Sequence, residues 1–194
     1  MPFDLNNNTT RAVLAAVILV VGFFAGFFIH KAVAAMPDSV TETQYDDWRV
    51  TCPKLSDKDT SCEMQLDVPD EKRTTELARL QLFKSKETGA TPTLLITVPY
   101  NTLLDAGIGL QFNKDKATVY QFEICNDFGC VVRIKFDDAL AASMGSAQSA
   151  RILVAGLDGK PAALPFSLKG YAAAHKAFVS DDGKRHSWWK RLWS

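Results

Sequence analysis

Four cysteines lie in two close pairs, Cys52 with Cys62 and Cys125 with Cys130. Four cysteines allow three pairings. Each close pair is flanked by segments with strand-like patterns, so a hairpin or a tight turn brings its Cα atoms within disulfide range. An even cysteine count after an export-type segment indicates an oxidising compartment. The simplest arrangement is therefore two local disulfides in an exported domain.

Two other uses of the cysteines remain open at this point. A four-thiolate zinc site favours Cys-x-x-Cys spacings, and neither pair has that spacing. A redox-active dithiol of the thioredoxin type uses the same short motif, which the chain lacks. Both alternatives fit the spacing less well than structural disulfides.

Alternation of apolar and polar residues dominates the central part of the chain and predicts many short strands. The alternating segments are 48–52, 62–68, 80–83, 94–98, 108–112, 118–124, 131–136, 152–154 and 164–168. Two alanine-rich stretches, 137–144 behind an acidic cap and 171–178, predict short helices. The pattern predicts a mainly β, β-sandwich-like domain with one or two short helices.

An apolar run precedes this domain. Residues 12–29 form eighteen consecutive uncharged residues, close to the minimum for a helix that crosses a bilayer. We expect a single transmembrane helix over residues 12–31, with 1–11 in the cytoplasm and the main domain in the periplasm of a bacterial inner membrane. A cleaved signal peptide is the rival interpretation, because Ala32-Val33-Ala34 fits a cleavage site.

Gly22 and Gly26 form a Gly-x-x-x-Gly pair within that run. Glycines at this spacing let two membrane helices approach closely, so the pair predicts a helix-packing face. The alternative is chance, because glycine is common in such segments.

The last residues are basic and rich in tryptophan. On a helical wheel Trp188, Trp189, Leu192 and Trp193 share one side, with Lys190 and Arg191 opposite. That layout is typical of a helix lying at a membrane interface. Docking into a groove on a partner and a tail without fixed structure are the alternatives.

The chain carries no recognisable catalytic, metal or cofactor motif. Its three histidines, His30, His175 and His186, do not lie beside a nucleophile motif, and no phosphate-binding or dinucleotide fingerprint occurs. Lysine and arginine together number 22, as do aspartate and glutamate, so net charge gives no reason to expect a nucleic-acid partner. We expect a protein that is not an enzyme and needs no cofactor.

Several short motifs, taken in order, resemble the invasion-associated locus B family of bacterial exported proteins. The likeness covers about residues 45–178. The motifs are Asp47-Trp48-Arg49-Val50-x-Cys52 with Cys62, Pro99, Leu103-Leu104-x-x-Gly107-Ile108, Cys125-x-x-x-Gly129-Cys130, and Leu164-Pro165-x-Ser167-Leu168-x-Gly170-Tyr171. The resemblance implies a periplasmic β-sandwich-like domain with two disulfides and no established catalytic motif. The chain departs from the family pattern at Asp105-Ala106 and in its basic tail.

The sequence thus predicts five parts: a cytoplasmic tail (1–11), a signal-anchor helix (12–31), a linker (32–44), the β domain (45–179) and a tryptophan-rich tail (180–194). The leading hypothesis is an accessory or stabilising subunit of an inner-membrane complex, such as a respiratory or photosynthetic assembly. The helix and the tail would then contact the membrane and other integral subunits. The alternative is a cleaved, secreted or surface interaction protein associated with invasion or the envelope.

Overall fold

The computed structural model describes residues 16–24, 26, 40–54, 60–70, 72, 74–84 and 91–186, with side chains described as far as residue 180. The chain divides into two compact units, Met1–Asp38 and Ser39–Ser194. In the first unit, residues 16–24 and 26 are helical, and they include Gly22 and Gly26. Among the described residues, no helix is both long and apolar enough to cross a membrane. The rest of the segment 12–31 lies outside the described residues, so the transmembrane helix stays a prediction.

The second unit is built mainly from short strands, with two α-helices and one turn of 3-10 helix at Leu104–Ala106. The helices are α1 (Asp138–Ser146) and α2 (Tyr171–His186). The strands are β1 (Thr41–Tyr45), β2 (Trp48–Cys52), β3 (Glu63–Pro69), β4 (Glu76–Phe83), β5 (Thr93–Val98), β6 (Ile108–Phe112), β7 (Thr118–Tyr120), β8 (Ile124–Asn126), β9 (Gly129–Lys135), β10 (Ala150–Ala155) and β11 (Pro161–Phe166).

The described strands form two sheets, and each pair of neighbouring strands in them is antiparallel. One sheet has seven strands in the order β1-β2-β3-β4-β5-β9-β8, and the other has four in the order β11-β10-β6-β7. The first five strands form a simple meander, as short local connections favour. The predicted mainly β architecture with a few short helices is therefore confirmed.

Alternation along the strands separates the core from the surface. In β3, for example, Met64, Leu66 and Val68 are buried while the residues between them face outward. Side chains from both sheets and both helices meet in one core cluster, which includes Ile96, Ile152 and Phe178. The period of two in the sequence is thus the direct cause of the layered arrangement.

The edge strand β11 carries two prolines within its pairing with β10, Pro161 at one end and Pro165 one residue before the other end. Proline has no N–H to donate, so it is tolerated where that side of the strand is free of a ladder partner. Prolines on an edge also discourage a further strand from adding to the sheet.

Three boundaries differ from the sequence prediction. The segment 118–124 is not one strand: β7 belongs to the small sheet and β8 to the large one, so the chain changes sheets between them. β1 lies within the segment interpreted as a linker and pairs along its whole length with β2. Its residues are mostly exposed on both faces, so no apolar alternation marks it. Helix α2 continues to His186, beyond residue 179.

Helix α1 begins as its acidic cap predicts. The Asp137 side chain accepts a hydrogen bond from the Leu140 backbone N–H at 2.9 Å. This satisfies one of the backbone N–H groups that the first turn of a helix leaves without a partner.

A junction between the first and last motifs closes the domain. The Trp48 indole N–H donates to the Ser167 carbonyl oxygen at 3.1 Å, across 119 residues of sequence. The Ser167 hydroxyl donates to the Asp47 carboxylate at 2.5 Å. The rings of Trp48 and Tyr171 meet edge to face with centroids 5.6 Å apart. We call Asp47, Trp48, Ser167, Gly170 and Tyr171 the closing junction.

His175 makes the stability of this region depend on pH. Its partly buried ring stacks on Tyr171 and meets Phe136 edge-on, with centroids 5.5 and 5.7 Å away. Burial lowers the pKa of His175 below its ordinary value of 6.5. The unfolded chain then takes up a proton at higher pH than the folded chain does. The free energy of unfolding should therefore fall as the pH drops from about 6.5 towards the folded-state pKa.

The measurement is urea unfolding at about pH 7.5 and about pH 5.5, compared between the original chain and His175→Phe. We expect the substitution to keep the ring stack and to remove this part of the pH dependence. An identical loss of stability in both proteins would assign the effect to other groups.

Candidate functional site

The structure forms two disulfides, Cys52–Cys62 and Cys125–Cys130. All four cysteines of the sequence are used, and none is free. Cys52–Cys62 bridges β2 and the start of β3 at the core, whereas Cys125–Cys130 spans β8 and β9 with Cys125 exposed. Each bond pins local geometry and does not join distant parts of the fold.

The Cys125–Cys130 bond should contribute modestly to stability because it closes a short loop. The loop-entropy relation gives about 2 kcal/mol for a loop of this size. We expect Cys125→Ser combined with Cys130→Ser to lower the free energy of unfolding by that amount and to leave the Cys52–Cys62 bond intact. Denaturant unfolding and a thiol count measure the two effects. An unchanged free energy of unfolding would show that the bond does not constrain the unfolded chain.

Three connections meet at one end of the domain: the loop 99–107, the tight β8–β9 turn over 126–129, which includes the last residue of β8 and the first of β9, and the loop 156–160. We call this end of the domain, with its three connections, the loop end. The Tyr100 hydroxyl of the first loop donates to the Asn126 carbonyl oxygen of the second. The Leu103 backbone N–H donates to Ala155, beside the third loop, at 2.7 Å. These contacts hold the three loops as neighbours.

The loop end exposes an unusual share of large apolar side chains. The exposed fractions are 56% for Tyr100, 37% for Leu103, 45% for Leu104, 85% for Phe128 and 71% for Leu157. A single exposed apolar residue needs no explanation, but a contiguous group often marks a contact surface. This group is the candidate functional site.

A cleft of about 420 Å³ opens at the same end, between strands of the two sheets. Its inner lining is apolar and includes Val98, Val154 and Leu164. At its rim the Lys160 ammonium lies 3.0 Å from the Asp158 carboxylate. Hydrogen bonds from Lys160, the backbone N–H above all, lower the pKa of Asp158. An apolar wall with a self-compensated ion pair suits an apolar group more than a charged substrate.

The outward face of the seven-stranded sheet is polar. Asp67 accepts from Arg79 at 2.8 Å and from Arg49 at 3.3 Å. Burial by itself would lower the pKa of Arg79, but the hydrogen bonds that Arg79 donates to Asp67 and Glu76 outweigh it and raise that pKa. Exposed pairs of this kind contribute at most about 1 kcal/mol each, so they mainly keep this face soluble.

The outward face of the four-stranded sheet is different. The register places Val119, Gly109, Leu153 and Ala163 in one row across its four strands. Val119 is 58% exposed. This apolar row lies on the same sheet as the β10–β11 turn of the loop end, and the adjoining row on that face, Gln111 with Arg151 and Pro165, is partly polar.

None of the five exposed loop-end side chains is among the residues that the sequence singled out for binding. Gly22 and Gly26 belong to the other compact unit, and Trp188, Trp189, Lys190, Arg191, Leu192 and Trp193 lie outside the described residues. Within the part of the chain that the structure describes, no three side chains of His, Cys, Asp or Glu are grouped to hold a metal ion. One signal for the loop end was present in the sequence: Phe128 is an aromatic residue in an otherwise polar turn.

Comparisons with known proteins agree with the motifs. The crystal structure of invasion associated protein B from Bartonella henselae has the same fold, with a TM-score of 0.63 at 17% identity. The match covers 74% of this chain and 99% of that one. No curated protein resembles this chain closely enough to count as a match. The family model for invasion associated locus B (IalB) proteins matches residues 48–179, more than half of the chain. The chain therefore belongs to the invasion associated locus B family, as the resemblance in its motifs predicts.

Proposed function

We propose that this chain is a non-catalytic protein-interaction domain that works as an accessory subunit of a bacterial inner-membrane complex. The observation that carries the proposal is the loop end, where five large apolar side chains are exposed on three neighbouring loops. Folding alone gives no reason to expose them together, whereas binding to a partner would bury them.

Export of the domain is supported by the two disulfides, because such bonds persist in oxidising compartments such as the periplasm. Retention at the membrane is supported by the apolar run 12–29 and by the tryptophan-rich tail. Together these features favour a single-pass protein with its domain in the periplasm and with integral membrane subunits as partners.

A non-catalytic role is supported by the surroundings of two titratable side chains, Tyr171 and His175, which are packed within the domain. Burial raises the pKa of Tyr171 to about 12, and the phenol donates to the Ala141 carbonyl oxygen at 3.2 Å. His175 is packed between aromatic rings. Both side chains support the packing of α2, and neither lines the cleft.

Extraction of the full chain from its native membrane in mild detergent, followed by native electrophoresis, tests the proposal. We expect the chain to migrate with a larger assembly of defined composition. Migration as a monomer in every detergent that keeps known membrane complexes intact would overturn it.

A second function is an interaction protein released from the membrane, and Ala32-Val33-Ala34 favours it as a cleavage site. The related solved protein bears the name invasion associated, which suits a released or surface role. Mass spectrometry of the mature protein separates the two. An intact N-terminus supports the anchored subunit, and a chain that begins at Ala35 supports release.

A further inference from the structure

The turn between β8 and β9 displays one aromatic side chain on a rigid support. Cys125 and Cys130 face each other across the two strands and are joined by a disulfide. The next pair inward on the turn is Asn126 with Gly129. The Phe128 backbone N–H donates to the Asn126 side-chain oxygen at 3.0 Å. The turn is therefore closed at its base by a covalent bond and within by a hydrogen bond.

Neighbouring backbone fixes the turn against the rest of the domain. Gly129 has a φ of +134°, and an added Cβ there would overlap the Val98 carbonyl oxygen. The Tyr100 hydroxyl donates to Asn126 from the adjoining loop. A turn held from two sides loses little further conformational entropy when it binds something.

Phe128 is the most exposed large apolar side chain in the described part of the chain, at 85%. Ile124, at 58%, and Tyr100, at 56%, lie beside the same turn. Burying a phenylalanine side chain is strongly favourable, so leaving it exposed to water forgoes a substantial gain. Aromatic residues that fill a partner's pocket are the usual centres of binding energy in protein interfaces.

We propose that Phe128 is the anchor residue of a protein–protein interface, inserting into an apolar pocket whose rim carries a lysine or arginine. This inference rests on the proposed function and names the contact that such an interaction domain would use. Tyr100 and Ile124 would form the apolar ring around the anchor that excludes water.

The charge of the turn identifies the kind of partner. Asp127 is the one charged residue between Cys125 and Cys130, and it directly precedes Phe128. The nearby Glu123 is already paired with Arg133 at 2.7 Å. A carboxylate beside the anchor is repelled by the anionic surface of a bacterial membrane, whereas a cation on a protein rim would complement it. The charge therefore favours a protein over a lipid surface.

The test uses the full chain in its native membrane, with the photoreactive residue p-benzoylphenylalanine at position 128. A control places it at position 114, where Lys114 is exposed in the β6–β7 turn, at the opposite end of the small sheet from the β10–β11 turn. We expect a cross-link from position 128 to one protein of the assembly and none to it from position 114. A cross-link to phospholipid alone, or equal protein cross-links at both positions, would overturn the inference.

Substitutions give the second arm of the test. Phe128→Ala should weaken association with the assembly by about 30-fold, the scale of a hot-spot residue. Asp127→Lys should also weaken it, while Lys114→Ala should change it by less than about 2-fold. The unfolding midpoint of each variant confirms that the domain stays folded. If an assembly forms and Phe128→Ala remains in it undiminished, this inference fails and the proposed function stands. If the original chain forms no assembly, both fail.

Discussion

Replacing Trp48 with alanine is expected to lower the free energy of unfolding by about 3–5 kcal/mol, the usual cost of removing a buried tryptophan. Trp48 is only 1% exposed and is among the largest fully buried side chains of the described chain. Its indole also bonds Ser167 at 3.1 Å and meets the ring of Tyr171. The substitution therefore leaves a cavity, an unmatched carbonyl group and a loosened start of α2.

Trp48→Phe separates these causes. The smaller aromatic ring keeps most of the contact with Tyr171 but cannot donate to the Ser167 carbonyl oxygen. Its cost should be about 1–3 kcal/mol, because an unsatisfied acceptor and a smaller cavity remain. Urea unfolding followed by far-ultraviolet circular dichroism measures both variants. A loss below about 1 kcal/mol for Trp48→Ala would mean that the closing junction does not hold the domain together.

The closing junction explains why residues at opposite ends of the domain sequence carry the family resemblance. Asp47 and Trp48 come just before or at the start of β2, and Ser167, Gly170 and Tyr171 come after the last strand. Hydrogen bonds and ring packing join them across about 120 residues. The first and last motifs therefore form one structural unit. Its residues hold the two ends of the domain sequence together by hydrogen bonds and ring packing.

Much of the fold could be predicted from the alternation of apolar and polar residues, because a strand with one buried face has an apolar residue at every second position. β2, β3 and β5 are of this type. β1 lies at a sheet edge with both faces largely exposed, so no burial constrains its residues and no alternation appears. The change of sheet between β7 and β8 depends on tertiary pairing, which a continuous apolar–polar pattern does not reveal.

The candidate site was less predictable, because it depends on tertiary structure that leaves no local pattern in the sequence. Cysteine spacing is local, so the sequence could indicate both disulfides. Exposure of Leu104 or Leu157 is a property of the assembled loops, and an exposed leucine reads like a buried one in sequence. Only Phe128, placed in a polar turn between two cysteines, carried a local signal.

Gly170→Ala tests the closing junction from its backbone side. Gly170 has a φ of +84°, a conformation that costs other residues about 1–2 kcal/mol. An added Cβ would overlap the Tyr45 carbonyl oxygen and would lie 2.9 Å from the Asp46 Cβ. Because the β1–β2 turn and the start of α2 must both shift, we expect a further loss of about 1–3 kcal/mol.

Gly159→Ala is the matched control for this substitution. Gly159 has a similar φ of +74°, and beyond its two chain neighbours no described atom lies within 4 Å of an added Cβ. It should therefore lose only the conformational part, about 1–2 kcal/mol. Urea unfolding of the two variants isolates the steric part as their difference. Equal losses would show that the β1–β2 turn yields freely to α2, and the closing junction would then be a loose contact between the two ends of the domain.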